Sequence, residues 1–466
     1  MRYVVLAAIL LATSSCRGLS EAPCSGCNLI LISIDTLRAD AVGAYGYRRD
    51  TTPELDGYAE NAALFESAYA TSAWTIPSHF SIMTGLYPSQ HGMILNTYRF
   101  EERRPTIARA FQRRGYATAA FVGGGYLDSF YGYDYGFDGY ENRRPTHFQR
   151  RLPSVYDFLE GAKSWLRSIG DQPFFLFLHT YQVHDYASFD APRFVAPDLA
   201  GVYGHVDLVA AAQRHRSDEL DAADRPLVEY MRQRYDSALH HLDRRLGDFF
   251  EFIQKSGLNT NTVVVITSDH GEEFGEHGRT AHGWTLYEEM LRVPLIWWLP
   301  PGMGMRGRVE GPVSSVDILP TVVDLFGLAP IPSDGVSLLP RLQDLSKAGS
   351  AEQAAPRDPR IVYAEVDEGA AMFAAVSGET KLIYAPEYGG SIQPNPIRWK
   401  RFQLKEDPTE SRNLCPGPAG GCGAEELDQA LVAIAERSRS VRKTGHEERL
   451  PLKLRELLRS LGYATD

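Results

Sequence analysis

The chain has 466 residues, of which 44% are hydrophobic, so it is long enough to bury a large core. Its 59 acidic residues outnumber its 48 basic residues, which gives a formal net charge of −11. This balance argues against a nucleic-acid partner, because a nucleic-acid-binding surface is basic. It leaves room for an anionic substrate in a locally positive, metal-loaded pocket.

The first residues are typical of a secretory signal, because Arg2 is followed by a short apolar run and then by small residues. The run is too short to span a bilayer as a helix, which needs roughly 20 residues. Cys16 follows small residues, as in a lipoprotein cleavage site, although Thr13 replaces the usual leucine. We therefore expect residues 1–16 to be a signal peptide and the mature chain to lie in the periplasm or cell envelope. A lipid anchor at Cys16 and simple cleavage stay open as alternatives.

The four other cysteines form two close pairs, Cys24/Cys27 and Cys415/Cys422. An exported chain permits both pairs to be disulfides. The first pair could also be half of a zinc site, but no second pair with zinc-finger spacing exists. The sequence leaves the state of both pairs open.

Buried-strand patterns alternate with helical patterns up to about Leu345. The predicted strands are 28–34, 116–122, 173–179, 262–269 and 293–300. The predicted helices are 107–115, 227–255 and 317–326, together with a helix that begins at Thr52-Pro53. Such alternation predicts an α/β fold, with a mostly parallel sheet flanked by helices on both faces. We expect this catalytic domain to cover 28–345.

The pattern changes after a linker rich in small and polar residues. Short runs at 361–366, 372–384 and 398–404 indicate antiparallel strands, and a polar helical tail begins near Leu427. We therefore expect a small C-terminal antiparallel α+β subdomain over 360–466.

Chemically active side chains follow three of the predicted strands. Asp35 follows the first strand, His179 and His184 follow the run "FFLFL" of the third, and Asp269 and His270 follow the run "VVVITS" of the fourth. In open α/β sheets, ligands bind beyond the carboxyl ends of the strands. Two carboxylates and one imidazole suit a divalent cation such as Zn, Mn or Ca.

Thr75 precedes a helix that Pro77 is expected to begin, so the positive end of that helix would face its hydroxyl. Taken alone, Thr75 and Asp35 are compatible with ordinary helix caps, and Asp269-His270 with a simple turn. Their joint placement at one sheet edge favours a site.

Five segments resemble the sulfatase branch of the alkaline phosphatase superfamily, and the resemblance covers 28–414. They read "NLILISIDTLRADAVGAYGY", "WTIPSHFSIMTGLYPSQHG", "VVVITSDHGEEFGEHG", "AHGWTLYEEMLRVPLIW" and "RFQLKEDPTESRNL". The resemblance implies the α/β fold of that family and its chemistry on anionic esters.

Carried over residue by residue, the resemblance makes Asp35, Asp269 and His270 metal ligands, with the oxygen of Thr75 completing the site. It also places three histidines near the substrate. His184 matches a substrate-contacting histidine, His282 matches a histidine near the phosphoryl group or a second metal, and His79 stands at the position of the motif's arginine.

The nucleophile segment departs from the family pattern, because Thr75 stands where sulfatases carry the Cys or Ser that becomes formylglycine. Oxidation of a threonine β-carbon would give a ketone rather than an aldehyde, so we expect no formylglycine. Asp35-Thr36 replaces the usual paired aspartates, and Gly283 stands near the position of a sulfate-binding lysine. Threonine nucleophiles do occur in the superfamily, in phosphodiesterases and phosphoethanolamine transferases.

The expected function is an exported, metal-dependent hydrolase of phosphate or sulfate esters, with a covalent Thr75 intermediate and with His184 and His282 assisting catalysis. We expect no nucleic-acid partner, and membrane association only through a lipid anchor at Cys16. The alternatives are a transferase that modifies envelope lipid or glycan, and a non-catalytic binding module.

We predict that the mature protein lacks the apolar run that precedes Cys16. Intact-mass spectrometry of the native protein measures this directly. A diacylglyceryl group on Cys16 would show that the protein is a lipoprotein. A major species that retains Met1 would contradict export by this signal.

Overall fold

The computed structural model describes residues 22–100, 104–142, 155–188, 193–214, 220–348, 360–367, 371–386, 399–415, 422–444 and 449–460. The predicted signal peptide and Cys16 lie outside these residues. The larger part of the described chain is built on a nine-stranded mixed sheet.

The sheet strands come from the first 314 residues of the chain. They are β1 (Asn28–Ile34), β2 (Ala63–Tyr69), β3 (Ala117–Val122), β4 (Gly139–Asn142), β5 (Phe174–Thr180), β6 (Thr262–Thr267), β9 (Arg292–Val293), β10 (Leu295–Trp298) and β11 (Gly307–Ser314), while β7 (Glu273–Phe274) and β8 (Thr280–Ala281) form a separate two-stranded sheet.

The strand order is β11-β2-β10-β6-β1-β5-β3-β4, with β9 paired to β2. β1 is parallel to both of its neighbours, β5 and β6, and the pairs β3–β5, β3–β4 and β2–β11 are also parallel. β10 runs antiparallel to β6 and β2, and β9 is antiparallel to β2. The predicted mostly parallel sheet is therefore confirmed.

β1 is buried on both faces, as expected of a central strand in a parallel sheet. Leu29 and Leu31 pack into one hydrophobic cluster, and Ile30, Ile32 and Ile34 pack into the other. This alternation follows from the two-residue period of a strand. The central position of β1 brings its carboxyl end next to those of β5 and β6.

Helices cover both faces of the sheet and continue into the tail. They are α1 (Pro53–Ala59), α2 (Thr75–Thr84), α3 (Pro88–His91), α4 (Ile107–Arg113), α5 (Val155–Ser168), α6 (Pro197–Tyr203), α7 (Leu208–Arg214), α8 (Arg225–Lys255), α9 (Glu288–Leu291), α10 (Ile318–Phe326), α11 (Leu339–Ala348), α12 (Glu425–Thr444) and α13 (Leu452–Ser460). Side chains of α2, α4 and α10 enter one cluster, and those of α1, α5 and α8 enter the other.

Two helix starts differ from the sequence expectation. Thr52 does precede α1, but its hydroxyl accepts from the N–H of Gly43 and donates to Asp56 instead of capping the helix. α2 begins at Thr75, two residues before the expected start at Pro77. Proline at the third helical position costs no hydrogen bond, because the first turn has no partners for its N–H groups.

The C-terminal part forms the expected antiparallel sheet, in the order β12 (Ile361–Val366), β13 (Met372–Ser377), β14 (Thr380–Tyr384) and β15 (Trp399–Gln403). α12 packs on this sheet through Leu427, Leu431 and Ala435. Both cysteine pairs are disulfides, Cys24–Cys27 and Cys415–Cys422.

Within the described residues, each helix is either too short or too polar to cross a membrane.

A buried carboxyl group joins the C-terminal sheet to the larger domain. Glu365 of β12 is 2% exposed and accepts hydrogen bonds from the hydroxyl of Ser89 at 2.9 Å and from its N–H at 3.2 Å. Its own N–H donates to the carbonyl of Thr71 at 2.8 Å, just ahead of α2. Burial raises the pKa of Glu365 to about 8, although the bonds from Ser89 act in the opposite direction.

We predict that Glu365→Gln stabilises the protein increasingly as pH rises from 5 to 9. The folded carboxyl keeps its proton up to about pH 8, whereas the unfolded chain loses it near pH 4.5. Stability therefore falls with pH across this window, by up to about 1.4 kcal/mol per pH unit, and glutamine removes that dependence. Thermal melts measure the difference, with Glu251→Gln on the exposed face of α8 as control. A difference that stays constant with pH would contradict the assignment.

Candidate active site

Three adjacent strands bring the candidate residues together at one edge of the sheet. Asp35 directly follows β1, and His179 is the second-last residue of β5. Asp269 and His270 lie two and three residues after the end of β6. The backbone of Thr36 has a φ of 59°, which is rare for a threonine. This turn directs the N–H of Thr36 to the Asp269 carboxylate at 3.3 Å, so the loops after β1 and β6 are locked together.

The two carboxylates each use one oxygen in hydrogen bonds and leave the other without a hydrogen bond. Asp35 Oδ2 accepts from the Thr75 hydroxyl and lies 3.3 Å from Nε2 of His179, while Oδ1 has no hydrogen-bond partner. Asp269 Oδ1 accepts from Thr36 and Ser268. Its Oδ2 makes no hydrogen bond to the described residues, and lies 3.3 Å from Nε2 of His270 and 3.4 Å from Nδ1 of His79. Such open buried oxygens are unfavourable unless a cation binds them.

His270 joins Asp35 and Asp269 in a group of three side chains that could hold a metal ion, here called the donor set. Its Nδ1 lies 2.8 Å from the carbonyl of Gly271, so this nitrogen carries the proton and Nε2 keeps its lone pair. Single ligand atoms of Asp35, Asp269 and His270 all lie within 4.8 Å of one another. Two open carboxylate oxygens and one imidazole lone pair, held by a backbone carbonyl behind the ring, fit a divalent cation.

The pKa values of the carboxyl groups show why a cation fits. Burial raises the pKa of Asp35 well above its ordinary value, and the charge of Asp269 raises it further. Burial also acts to raise the pKa of Asp269, but His270 and two other histidines outweigh it and lower that pKa. Both side chains are 0% exposed, so ionising both carboxyl groups is costly unless a cation binds between them.

Thr75 is the first residue of α2, and the cap position before it is Trp74. The Thr75 hydroxyl does not cap the helix, since it donates to Asp35 Oδ2 at 3.3 Å and lies 3.5 Å from Nε2 of His270. The Ser78 hydroxyl donates to the backbone carbonyl of Asp269 at 2.5 Å, which holds the first turn of α2 against the donor set. The positive end of the helix therefore points into the site.

His79 lies behind this arrangement, one turn further along α2, and is 0% exposed. Its Nε2 is 2.9 Å from the Ser33 hydroxyl, and its Nδ1 is 2.9 Å from the carbonyl of Thr75. Burial lowers the pKa of His79 to about 4, so the ring is neutral at neutral pH. Both ring nitrogens contact protein groups, and its expected contact with substrate stays a prediction.

His184 and His282 lie next to each other beside the donor set, with ring centroids 5.1 Å apart. The ring of His282 is 4.7 Å from that of His270, and its Nδ1 is 2.7 Å from Glu272. His184 Nδ1 is 2.9 Å from Asp185. Burial acts to lower the pKa of His184, but Asp185 and Asp35 outweigh it and raise that pKa to about 9. His184 is therefore cationic at neutral pH.

Sequence reasoning assigned no role to three residues that belong to this arrangement. His179 contacts Asp35, Glu272 contacts His282, and Asp185 contacts His184. A role for His179 could have been noticed from the sequence, because it is a histidine at the end of an otherwise apolar strand. Glu272 and Asp185 are charged residues in loops and gave no distinguishing signal.

Comparisons with known proteins identify the family of this chain. The family model described as Sulfatase matches residues 27–328, which is more than half of the chain. The chain belongs to the sulfatase family.

Two curated relatives resemble this sulfatase-family chain over most of its length. The Delta 4,5-hexuronate-2-O-sulfatase of Bacteroides thetaiotaomicron is 24% identical over 424 residues, covering 84% of this chain and 85% of its own. The multifunctional alkaline phosphatase superfamily protein PehA of Trinickia caryophylli is 24% identical over 489 residues, covering 84% and 92%.

Among solved structures, the phosphonate monoester hydrolase of Agrobacterium radiobacter superposes with a TM-score of 0.64 at 21% identity, covering 90% of this chain and 95% of its own. At this identity the likeness shows the fold alone. The sulfatase-like fold expected from the sequence is confirmed, and the chain is a sulfatase-like hydrolase of the alkaline phosphatase superfamily.

We predict that Asp269→Asn removes bound metal and activity without unfolding the protein. The amide keeps the hydrogen-bonding shape of the carboxylate but loses the charge that holds the cation. In chelator-treated protein the variant should melt no lower than the wild type, because Asp35 loses a buried like-charged neighbour.

Metal content by plasma mass spectrometry and thermal melts with and without chelator measure these effects. Asp243→Asn is the matched control, because Asp243 is also a buried aspartate but binds the N–H groups that open α1. Full metal occupancy in Asp269→Asn would show that the ligand assignment is wrong.

Proposed function

We propose that this chain is an exported, metal-dependent hydrolase that cleaves phosphate or sulfate esters through a covalent Thr75 intermediate. The observation that carries the proposal is the position of the Thr75 hydroxyl. It lies at the amino end of α2, within 3.5 Å of both Asp35 and His270, and is fully buried among the donor set.

The residues that would hold the cation are Asp35, Asp269 and His270, together with the Thr75 oxygen. When bound, a divalent cation such as Zn, Mn or Ca would lower the pKa of a nearby hydroxyl and neutralise charge on the ester oxygens. No formylglycine is needed, because the threonine hydroxyl itself supplies the nucleophile.

In the first step, the Thr75 oxygen attacks phosphorus or sulfur, and the bond from that atom to the leaving oxygen breaks. The electron pair of that bond passes to the leaving oxygen, which takes a proton from His282. The Thr75 hydroxyl proton passes to Asp35, its acceptor at 3.3 Å. The amino end of α2 stabilises negative charge that develops next to Thr75.

In the second step, water attacks the ester on Thr75, the bond from phosphorus or sulfur to the Thr75 oxygen breaks, and that oxygen takes its proton back from Asp35. His282, neutral after the first step, takes the proton that the water gives up. His184 is cationic and lies beside His282, so it is suited to bind a non-bridging ester oxygen. The same residues thus serve both half-reactions.

The relatives support an anionic ester as substrate. One relative is a hexuronate sulfatase, and a phosphonate monoester hydrolase has the same fold. We favour phosphoester chemistry, because the superfamily members that use a threonine nucleophile, the phosphodiesterases and phosphoethanolamine transferases, act on phosphate esters. Export belongs to the same proposal and rests on the first residues of the sequence, with a lipid anchor at Cys16 and simple cleavage as its two alternatives.

We predict that Thr75→Ala lowers turnover at least about a thousandfold with little change in melting temperature, because it removes the nucleophile and no helix cap. Thr75→Ser keeps a hydroxyl and should retain measurable activity. Turnover is measured on the best substrate from a screen of phosphate monoesters, phosphodiesters, phosphonate esters and sulfate esters with several metals.

Thr84→Ala is the matched control, because Thr84 is buried in the same helix and its hydroxyl bonds to backbone groups, donating to the carbonyl of Phe80 and accepting from the N–H of Leu86. It should lose stability and keep turnover. Near-normal turnover in Thr75→Ala would contradict the proposal and would indicate that a water molecule, not Thr75, attacks the ester.

A further inference from the structure

Glu272 is a buried acidic residue that lies two positions after His270 and is 3% exposed. Its Oε2 lies 2.7 Å from Nδ1 of His282. The hydroxyl of Tyr186 also hydrogen-bonds to the Glu272 carboxylate. A carboxylate only accepts hydrogen bonds, so Nδ1 of His282 must carry its proton toward Glu272.

The backbone around Glu272 leaves little freedom. A β-carbon on Gly271 would lie 1.8 Å from the carbonyl oxygen of Glu289, so only glycine permits this close approach. The N–H of Gly271 donates to the carbonyl of Met290 at 2.8 Å. The carbonyl of Glu272 accepts from the buried guanidinium of Arg38 at 2.8 Å. The backbone position from which the Glu272 side chain extends is therefore fixed.

The consequence for His282 is a defined orientation. With Nδ1 held by Glu272, Nε2 is the nitrogen on the far side of the ring. The same ring lies 4.7 Å from the ring of His270, a proposed metal ligand, and 5.1 Å from that of His184. In carboxylate–imidazole pairs, the carboxylate fixes both the tautomer and the direction of the ring.

We infer that Glu272 is a positioning residue that holds His282 with Nε2 toward the leaving oxygen of the ester. This inference rests on the proposed function, in which His282 hands a proton to that oxygen. In this inference Glu272 acts on the reaction through His282. Its effect should therefore depend on how much the leaving oxygen needs a proton.

The test is Glu272→Gln, measured on esters that range from nitrophenyl to alkyl leaving groups. The glutamine amide can turn its NH₂ toward His282 and favour the opposite tautomer. We expect kcat to fall about a hundredfold or more for alkyl esters, to change only a few-fold for the nitrophenyl ester, and KM to change little. Glu272→Asp keeps an acceptor-only group and should recover part of the loss.

The controls separate positioning from general structural damage. Metal content and melting temperature of Glu272→Gln should match the wild type, as should the activity of Glu251→Gln on the exposed face of α8. Added to His282→Ala, the Glu272→Gln change should cost almost nothing further, because the two residues act as one unit.

An equal loss for every leaving group, a loss of metal, or additive effects of the two substitutions would overturn the inference. Should Glu272→Gln fail to fold, the leaving-group series on Glu272→Asp decides in the same way. The proposed function fails separately, through an active Thr75→Ala protein. An inactive Thr75→Ala protein with no leaving-group effect at Glu272 would overturn the positioning role alone.

Discussion

Two fully buried aspartate side chains that lie next to each other impose the main constraint on this molecule. Asp35 and Asp269 end neighbouring segments of the sheet, and each presents one oxygen with no hydrogen-bond partner. Burial of two such charges is costly unless a cation lies between them. Together with His270, the two carboxylates form a group that could hold a metal ion.

Thr75, the proposed nucleophile, and its helix are arranged around the same two carboxylates. α2 is fastened to Asp269 through Ser78, which places the Thr75 hydroxyl against both the carboxylate of Asp35 and the ring of His270. The positive end of the helix and the cation would act on the same oxygen from two sides. A threonine hydroxyl, which is far too basic to ionise alone near neutral pH, becomes a reasonable nucleophile in this setting.

The sequence was sufficient to predict the parallel sheet and the edge where Asp35, Asp269 and His270 meet, because buried-strand patterns and strand ends are local signals. It was also sufficient to single out Thr75. It did not predict the start of α2 at Thr75, and it did not predict which side chains form hydrogen bonds with the histidines. Those features depend on contacts between residues far apart in the chain, such as Glu272 with His282 and His179 with Asp35, and no local pattern encodes them.

The stereochemical course at phosphorus tests the central claim most directly, using a phosphodiester substrate whose phosphorus is made chiral with sulfur and oxygen isotopes. Attack by Thr75 followed by attack of water inverts the centre twice, so the account predicts retention of configuration. Direct attack by a water molecule inverts it once. Inversion would contradict a covalent Thr75 intermediate, whatever metal the site holds.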